Sequence, residues 1–275
     1  MADSGMKRFG VDVEKRDDGT TILRCPEPLG PVPQSLIALL RERAAAHPDR
    51  DFLRERDDTG AWRRVTYADV LNGANAVART LLNGGYGQDR PLAILSDNSI
   101  NQAIVMFGAM TVGMPAMPVS PAYSLMSQDH EKLNMVIGHN DPAVIFVDNP
   151  APFAKALAAI DMSGRRLVVG RADGAPDGAE LLSDWLDAPP GPEVDAAAAA
   201  IGPDTIGKIL LTSGSTGLPK GVLNSHLMMT SNQVSIAQVC TFLREDPPVF
   251  LDWLPWNHTF GGNHNLNMVL YNGGT

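Results

Sequence analysis

Pro91-Leu92-Ala93-Ile94-Leu95-Ser96-Asp97-Asn98, then Ile104-Val105-Met106-Phe107-Gly108-Ala109-Met110-Thr111-Val112-Gly113-Met114, then the residues from Pro115 to Val119, set the fold class of this chain. A short apolar run closed by polar turn formers reads as a buried strand. The second run ends at Pro115 and falls well short of the roughly 20 residues that cross a bilayer, so it reads as a buried core helix. Pro115 to Val119 reads as extended. Strand, helix and strand in succession predict parallel pairing, because the helix carries the chain back to the starting end of the sheet.

The pattern repeats on both sides. Upstream, Thr66 with Asp69 forms a capping-box-like start, and Val70, Ala74, Val77, Ala78 and Leu81 recur at helical spacing until Gly84-Gly85. Downstream, Ala143-Val144-Ile145-Phe146-Val147 and Arg166-Leu167-Val168-Val169 read as buried strands, with helical stretches near Ser124 to His139 and Pro152 to Ile160. The alternation predicts an α/β fold with mostly parallel sheets flanked by helices. Pro189-Pro190-Gly191-Pro192 interrupts it, and Asp195 to Ala200 is alanine-rich, a short helix or a linker. The expected organisation is a first α/β subdomain over 1–188, a linker over 189–204, and the start of a second α/β subdomain over 205–275. In that second part Thr205 to Leu211 reads as a strand, and a helix begins near Ser225 with Ile236, Val239, Cys240 and Leu243 as its buried stripe. Val249-Phe250-Leu251 reads as a further strand.

The composition fits an ordinary enzyme: 275 residues, 44% hydrophobic and 19% charged. A net charge of -9 argues against a nucleic-acid partner, which needs clustered Lys and Arg in excess. Cys25 and Cys240 lie far apart without metal-site spacing and read as packing residues. Met1 to Arg8 lacks the apolar stretch of a secretory signal, which predicts a cytoplasmic protein with no membrane insertion.

Function is concentrated in Thr212-Ser213-Gly214-Ser215-Thr216-Gly217-Leu218-Pro219-Lys220-Gly221, which follows the apolar Ile209-Leu210-Leu211. Glycines let backbone amides approach an anion, and hydroxyls and one ammonium add donors of two other kinds, so the loop suits phosphate. A Walker loop is excluded because Lys220 follows Pro219 and precedes Gly221. The dinucleotide fingerprint is excluded because Gly214 and Gly217 have no glycine partner at 212. A ligand-free surface loop rich in Gly and Ser is the plain alternative.

The block from Ile209 to Lys220 resembles the AMP-binding signature of the adenylate-forming superfamily, which includes acyl-CoA synthetases, luciferases and peptide-synthetase adenylation domains. Leu254-Pro255-x-x-His258-x-x-Gly261 resembles the histidine motif that follows this loop in the superfamily. Val65-Thr66-Tyr67 and the segment from Gly113 to Pro121 resemble its early segments, so the resemblance covers roughly residues 30 to 275. Asp252-Trp253-Leu254-Pro255-Trp256-Asn257-His258-Thr259-Phe260-Gly261-Gly262-Asn263-His264-Asn265 is similar to feruloyl-CoA synthetases. Asn257 departs from the aromatic residue common before the histidine, which shifts the expected gating role to Trp256.

The resemblance implies an ATP-dependent acid–thiol ligase: a carboxylate attacks the α-phosphorus of ATP, and coenzyme A then displaces AMP. ATP and Mg²⁺ are the expected cofactors, with CoA as co-substrate and an aromatic carboxylate as the acid. The implied phosphate site comprises Thr212, Ser213, Gly214, Ser215, Thr216, Gly217 and Lys220, with Thr212 also a Mg²⁺ contact. His258 and Lys220 are the implied catalytic residues. His258 would orient the acid or donate to the acyl-phosphate oxygens rather than act as a base, since carboxylates are already ionised near neutral pH. Trp256, Asn263 and His264 are the implied acyl-pocket residues, ordinary core packing being the alternative for Trp253 and Trp256. The superfamily's adenine and ribose segments and its C-terminal lid have no counterpart in the sequence, so the chain is expected to be an N-terminal portion, inactive or nearly so alone. The competing expectation is a catalytically inactive nucleotide-binding remnant of the same family.

Overall fold

The computed structural model describes residues 5–189, 191–213 and 219–275. A small hairpin, β1 (Asp12–Lys15) and β2 (Thr21–Arg24), precedes α1 (Leu36–Ala46), and a second hairpin, β3 (Asp51–Arg56) and β4 (Trp62–Thr66), leads into α2 (Tyr67–Asn83). The α2 N-terminus carries the expected reciprocal cap: the Thr66 hydroxyl accepts from the Asp69 amide, and the Asp69 carboxylate accepts from the Thr66 amide at 2.8 Å. β5 (Leu92–Ile94), α3 (Ile100–Thr111) and β6 (Ala116–Pro118) form the expected strand, helix and strand. Gly108 makes the α2–α3 crossing possible, because a Cβ there would stand 2.5 Å from Val77 Cγ1 and 2.9 Å from the Ala74 carbonyl.

The stretch expected to be helical near Ser124 to His139 is two helices, α4 (Pro121–Leu125) and α5 (Glu131–Asn140), broken at His130, whose φ of 54° cannot continue a helix. β7 (Val144–Val147), α6 (Pro150–Ala159), β8 (Arg166–Val169), the two-residue β9 (Glu180–Leu181) and α7 (Leu182–Leu186) follow. Within the segment expected as a linker lies α8 (Pro192–Ala200), with Pro192 opening the helix and Val194 and Ala198 buried. Next come β10 (Ile206–Ser213), β11 (Pro219–Ser225), α9 (His226–Val239) and α10 (Phe242–Glu245). A single π-helical turn, Phe260–Asn265, runs into α11 (Leu266–Asn272).

Among the described residues the main sheet has seven strands in the order β11-β10-β6-β5-β7-β8-β9. Every pair is parallel except β10–β11. β10 lies beside β6, so the sheet runs continuously through the expected 189–204 boundary. Helices cover both faces. Leu92, Ile94, Val144 and Phe146 face α1, α2 and α3, while Ala93, Ile145 and Val147 face the α5 and α6 side with Leu133, Ile137 and Phe153. No helix among the described residues is long and apolar enough to cross a membrane.

Several expectations are corrected. The helix begins at His226 with Ser225 as its cap, as expected, but a strand not expected from the sequence, β11, precedes it and pairs back on β10. Pro219 and Gly221 make that segment look like a turn, yet a proline at the first residue of an edge strand forfeits no ladder bond. The buried face of α9 is His226, Met229, Thr230, Gln233, Val234 and Ala237. Ile236, Val239 and Cys240 are half-buried, and Leu243 is buried in α10 rather than in α9. Val249-Phe250-Leu251 is no strand: Val249 is 81% and Leu251 87% exposed. Among the described residues the segment makes two backbone bonds of parallel type, Phe250 N to Thr275 O and Thr275 N to Pro248 O, each 2.8 Å. Cys25 is exposed rather than packed, and Cys240 is half-buried.

Candidate active site

The site grows from the β10–β11 hairpin. Thr212 pairs with Lys220 and Lys208 with Asn224. Side chains alternate along a strand, so residues four apart share a face. Thr212, Lys220, Lys208 and Asn224 therefore lie on one side of the sheet, the second pair about 13 Å from the first at roughly 3.3 Å per residue. The opposite side carries Ile209 and Leu211, which pack with the α5 and α6 cluster. Thr212 and Lys220 are exposed, and the Thr212 hydroxyl lies 3.5 Å from the Lys220 carbonyl oxygen. Gly214, Ser215, Thr216 and Gly217, and the side chain of Ser213, lie outside the described residues.

The second wall is the segment from Asp252 to Asn265. Asn98, just beyond the C-terminal end of β5, holds it: its Nδ2 donates to Leu254 O at 2.8 Å, and its Oδ1 accepts from Trp256 N at 2.8 Å. Asp252 Oδ1 accepts from Leu254 N and from Asn265 Nδ2, both at 3.0 Å. The π turn presses onto this segment with glycines. A Cβ on Gly261 would stand 2.5 Å from Pro255 O, and one on Gly262 2.3 Å from Trp256 O. The wider turn is sealed by Leu266 N donating to Gly261 O.

His258 is exposed at the edge of this turn. Its amide donates to Pro255 O at 3.1 Å, its carbonyl accepts from Gly262 N at 2.9 Å, and its Nδ1 accepts from Phe260 N at 3.3 Å. An accepting Nδ1 places the neutral ring's proton on Nε2, which is left as an outward donor. Asn263 Nδ2 donates to Asn224 Oδ1 at 3.0 Å, binding the turn to β11. His264 stacks on Phe260 with centroids 4.6 Å apart, and its Nδ1 lies 2.9 Å from Asn265 Oδ1.

Beneath the turn, Lys208 is fully buried and its Nζ donates to Gly262 O at 3.0 Å. Burial pushes its ammonium down to about 7. His226, at the start of α9, is also buried, and its Nδ1 accepts from Leu36 N at 3.2 Å. Burial first and the charge of Lys208 second push it down to about 4. Gln233 Nε2 donates to Asn263 O at 2.7 Å and lies 3.4 Å from His264 O.

The structure thus joins the hairpin of Thr212 and Lys220 to the turn of His258, Asn263 and His264. It does not gather Trp256, Asn263 and His264 into one pocket. Trp256 is buried in the main core and lines a cavity of about 560 Å³ with Phe52, Trp62, Phe250 and Leu266, whereas Asn263 faces β11. Trp253 is 85% exposed, so core packing accounts for Trp256 and not for Trp253. The sequence reading missed Asn98, Lys208, Asn224 and Gln233. For Lys208 a signal was present: a lysine inside an apolar strand.

Thr212 and Lys220, both exposed, belong to one face of the hairpin. Among the described residues no three His, Cys, Asp or Glu side chains stand together as a metal-binding group.

The AMP-binding enzyme family matches residues 40–275. Sulfoacetate–CoA ligase of Cupriavidus necator is 26% identical over 74% of the chain, and a putative fatty-acid–CoA ligase of Mycobacterium leprae 27% over 82%. Phosphinothricin tripeptide synthetase of Streptomyces viridochromogenes is 25% identical over 82% of the chain. The chain spans 37%, 38% and 19% of the lengths of these relatives. Among solved structures, fatty acyl-adenylate ligase from L. pneumophila, in complex with acyl adenylate and pyrophosphate, superposes with a TM-score of 0.67 at 21% identity over 88% of this chain and 39% of its own. ATP-bound MatB from Rhodopseudomonas palustris gives 0.65 at 23% over 87% and 44%. With its family match spanning most of the sequence, the chain belongs to the AMP-binding enzyme family.

Proposed function

We propose that this chain supplies the phosphate and acid-positioning parts of an ATP-dependent carboxylate–CoA ligase that acts on an aromatic acid such as ferulate. The carrying observation is the shared face of Thr212–Lys220 and Lys208–Asn224, which couples the hairpin that enters the glycine- and hydroxyl-rich loop to the turn that follows His258.

The chemistry meets a charge problem, since a carboxylate must approach a polyphosphate already rich in negative charge. Lys220 would place one positive charge against the phosphates, and Thr212 one hydroxyl, at the mouth of the loop Ser213 to Leu218. His258 would present its Nε2–H to the oxygen on which charge develops as the acyl–phosphate bond forms and pyrophosphate leaves, with no proton removed from the acid. Mg²⁺ would arrive on the triphosphate. The aromatic acid is supported by the similarity of the segment from Asp252 to Asn265 to feruloyl-CoA synthetases.

The test is ATP–pyrophosphate exchange by the protein that carries this chain, supplied in turn with ferulate, acetate, palmitate and single amino acids. Exchange stimulated by ferulate above the others, with mass-spectrometric detection of feruloyl-CoA once CoA is added, is the expected result. Exchange driven only by amino acids or alkyl acids would overturn the aromatic reading, and ATP binding without exchange would favour the inactive remnant.

A further inference from the structure

The π turn that follows His258 accepts side-chain donors on three successive carbonyls. Gly262 O accepts from Lys208 Nζ at 3.0 Å, Asn263 O accepts from Gln233 Nε2 at 2.7 Å, and His264 O lies 3.4 Å from that same nitrogen. The donors come from two separate elements, β10 and α9. We propose that Lys208 and Gln233 are positioning residues for acid activation, gripping the π turn from below so that His258 keeps a fixed distance from the Thr212–Lys220 end of the hairpin. The inference rests on the ligase reading for its catalytic consequence.

Three observations support it. Lys208 is wholly buried, and its one hydrogen-bond partner among the described residues is a carbonyl, with no carboxylate. Such a lysine lowers stability relative to an apolar residue of the same length, so its presence is explained by what it holds. Gly262, the residue Lys208 grips, donates through its amide to His258 O, so the chain from ammonium to His258 has a single intervening residue. The grip also begins on the strand that enters the phosphate loop, four residues before Thr212, which makes β10 a rigid ruler between the two halves of the site.

The experiment compares wild type, Lys208→Met, Gln233→Leu and the double variant in the protein that carries this chain. Two readouts are taken: ferulate-dependent ATP–pyrophosphate exchange, and hydrogen exchange of the Gly262 amide. The expected result is a fall in kcat of at least tenfold for each single variant, with KM for ATP within threefold. The double variant should be no worse than the weaker single by more than threefold, because both residues secure one turn. Gly262 should exchange at least tenfold faster in each variant. Folded variants with kcat within twofold of wild type, or with unchanged Gly262 exchange, overturn the proposal. If Lys208→Met fails to fold, the same thresholds applied to Gln233→Leu alone decide between support and refutation. An inactive wild type would refute the ligase reading instead, and the grip would then be judged by Gly262 exchange alone.

Discussion

Lys208 makes the stability of this fold depend on pH, and the sign follows from its surroundings. The ordinary ammonium value is 10.5, and burial brings it to about 7 in the folded chain. Between those values the unfolded chain binds one proton more than the folded one, so stability rises with pH, at most by about 1.4 kcal/mol per unit. From pH 7 to pH 9 the gain is about 2 kcal/mol, and below pH 7 the folded state carries a penalty approaching about 5 kcal/mol relative to a neutral amine. Lys208→Met removes that penalty but leaves Gly262 O without its donor, a cost of about 1 to 3 kcal/mol. The penalty outweighs the lost bond at pH 6, so the variant should be more stable than wild type there by about 2 kcal/mol, with the advantage gone near pH 9. Two other buried groups set the usable window. His226 loses stability as pH falls from 6.5 toward 4, and Tyr67, whose phenol is pushed up by burial, loses it only above pH 10. Urea unfolding of both proteins at intervals from pH 6.5 to 9 isolates the lysine. A wild-type stability flat across that range, or an equal slope in the variant, would refute the assignment of Lys208 as a buried amine that titrates near neutrality.

Gly262→Ala should lower stability by about 1 to 3 kcal/mol, because its Cβ would meet a backbone carbonyl that cannot rotate away, and an unchanged melting temperature would contradict the observed contact of the turn with Trp256. Asn98→Ala removes two hydrogen bonds that hold Leu254 and Trp256, and should cost about 1 to 3 kcal/mol and alter the near-ultraviolet circular dichroism of Trp256. In the acid range, His226 should contribute a loss of at most about 1.4 kcal/mol per unit as pH drops from 6.5 to 4. His226→Asn should flatten that limb of the unfolding series, and an unaltered limb would assign the acid loss to carboxylates instead.

The parts of the fold legible in the sequence are those where one physical rule dominates. The Thr66–Asp69 cap, the apolar stripe of α2 and the β5-α3-β6 unit are set by local hydrogen bonding and by periodic burial, and periodicity is what a sequence displays. α9 breaks the rule. Its inward face includes His226, Thr230 and Gln233, so a search for apolar spacing selects Ile236 and Val239, which are only half-buried beside that face. Those polar residues face inward because something polar needs them: Gln233 answers the carbonyls of the π turn, and His226 answers the first amide of α1. The same logic hides β11, whose Pro219 and Gly221 look like a turn while its backbone pairs along β10, and it hides Asn98, which looks like loop filler while it clamps two residues of the histidine segment. The failures of pattern reading are therefore not scattered. Lys208, Asn98, Asn224 and Gln233 each put a polar side chain where apolar packing or solvent was expected, and each is bonded to the segment between Leu254 and His264. A buried polar group is stable only against a fixed partner. Lys208 and Gln233, the two buried members of this set, therefore mark the place where the chain gives up packing energy to fix a geometry, and that place is the π turn that follows His258.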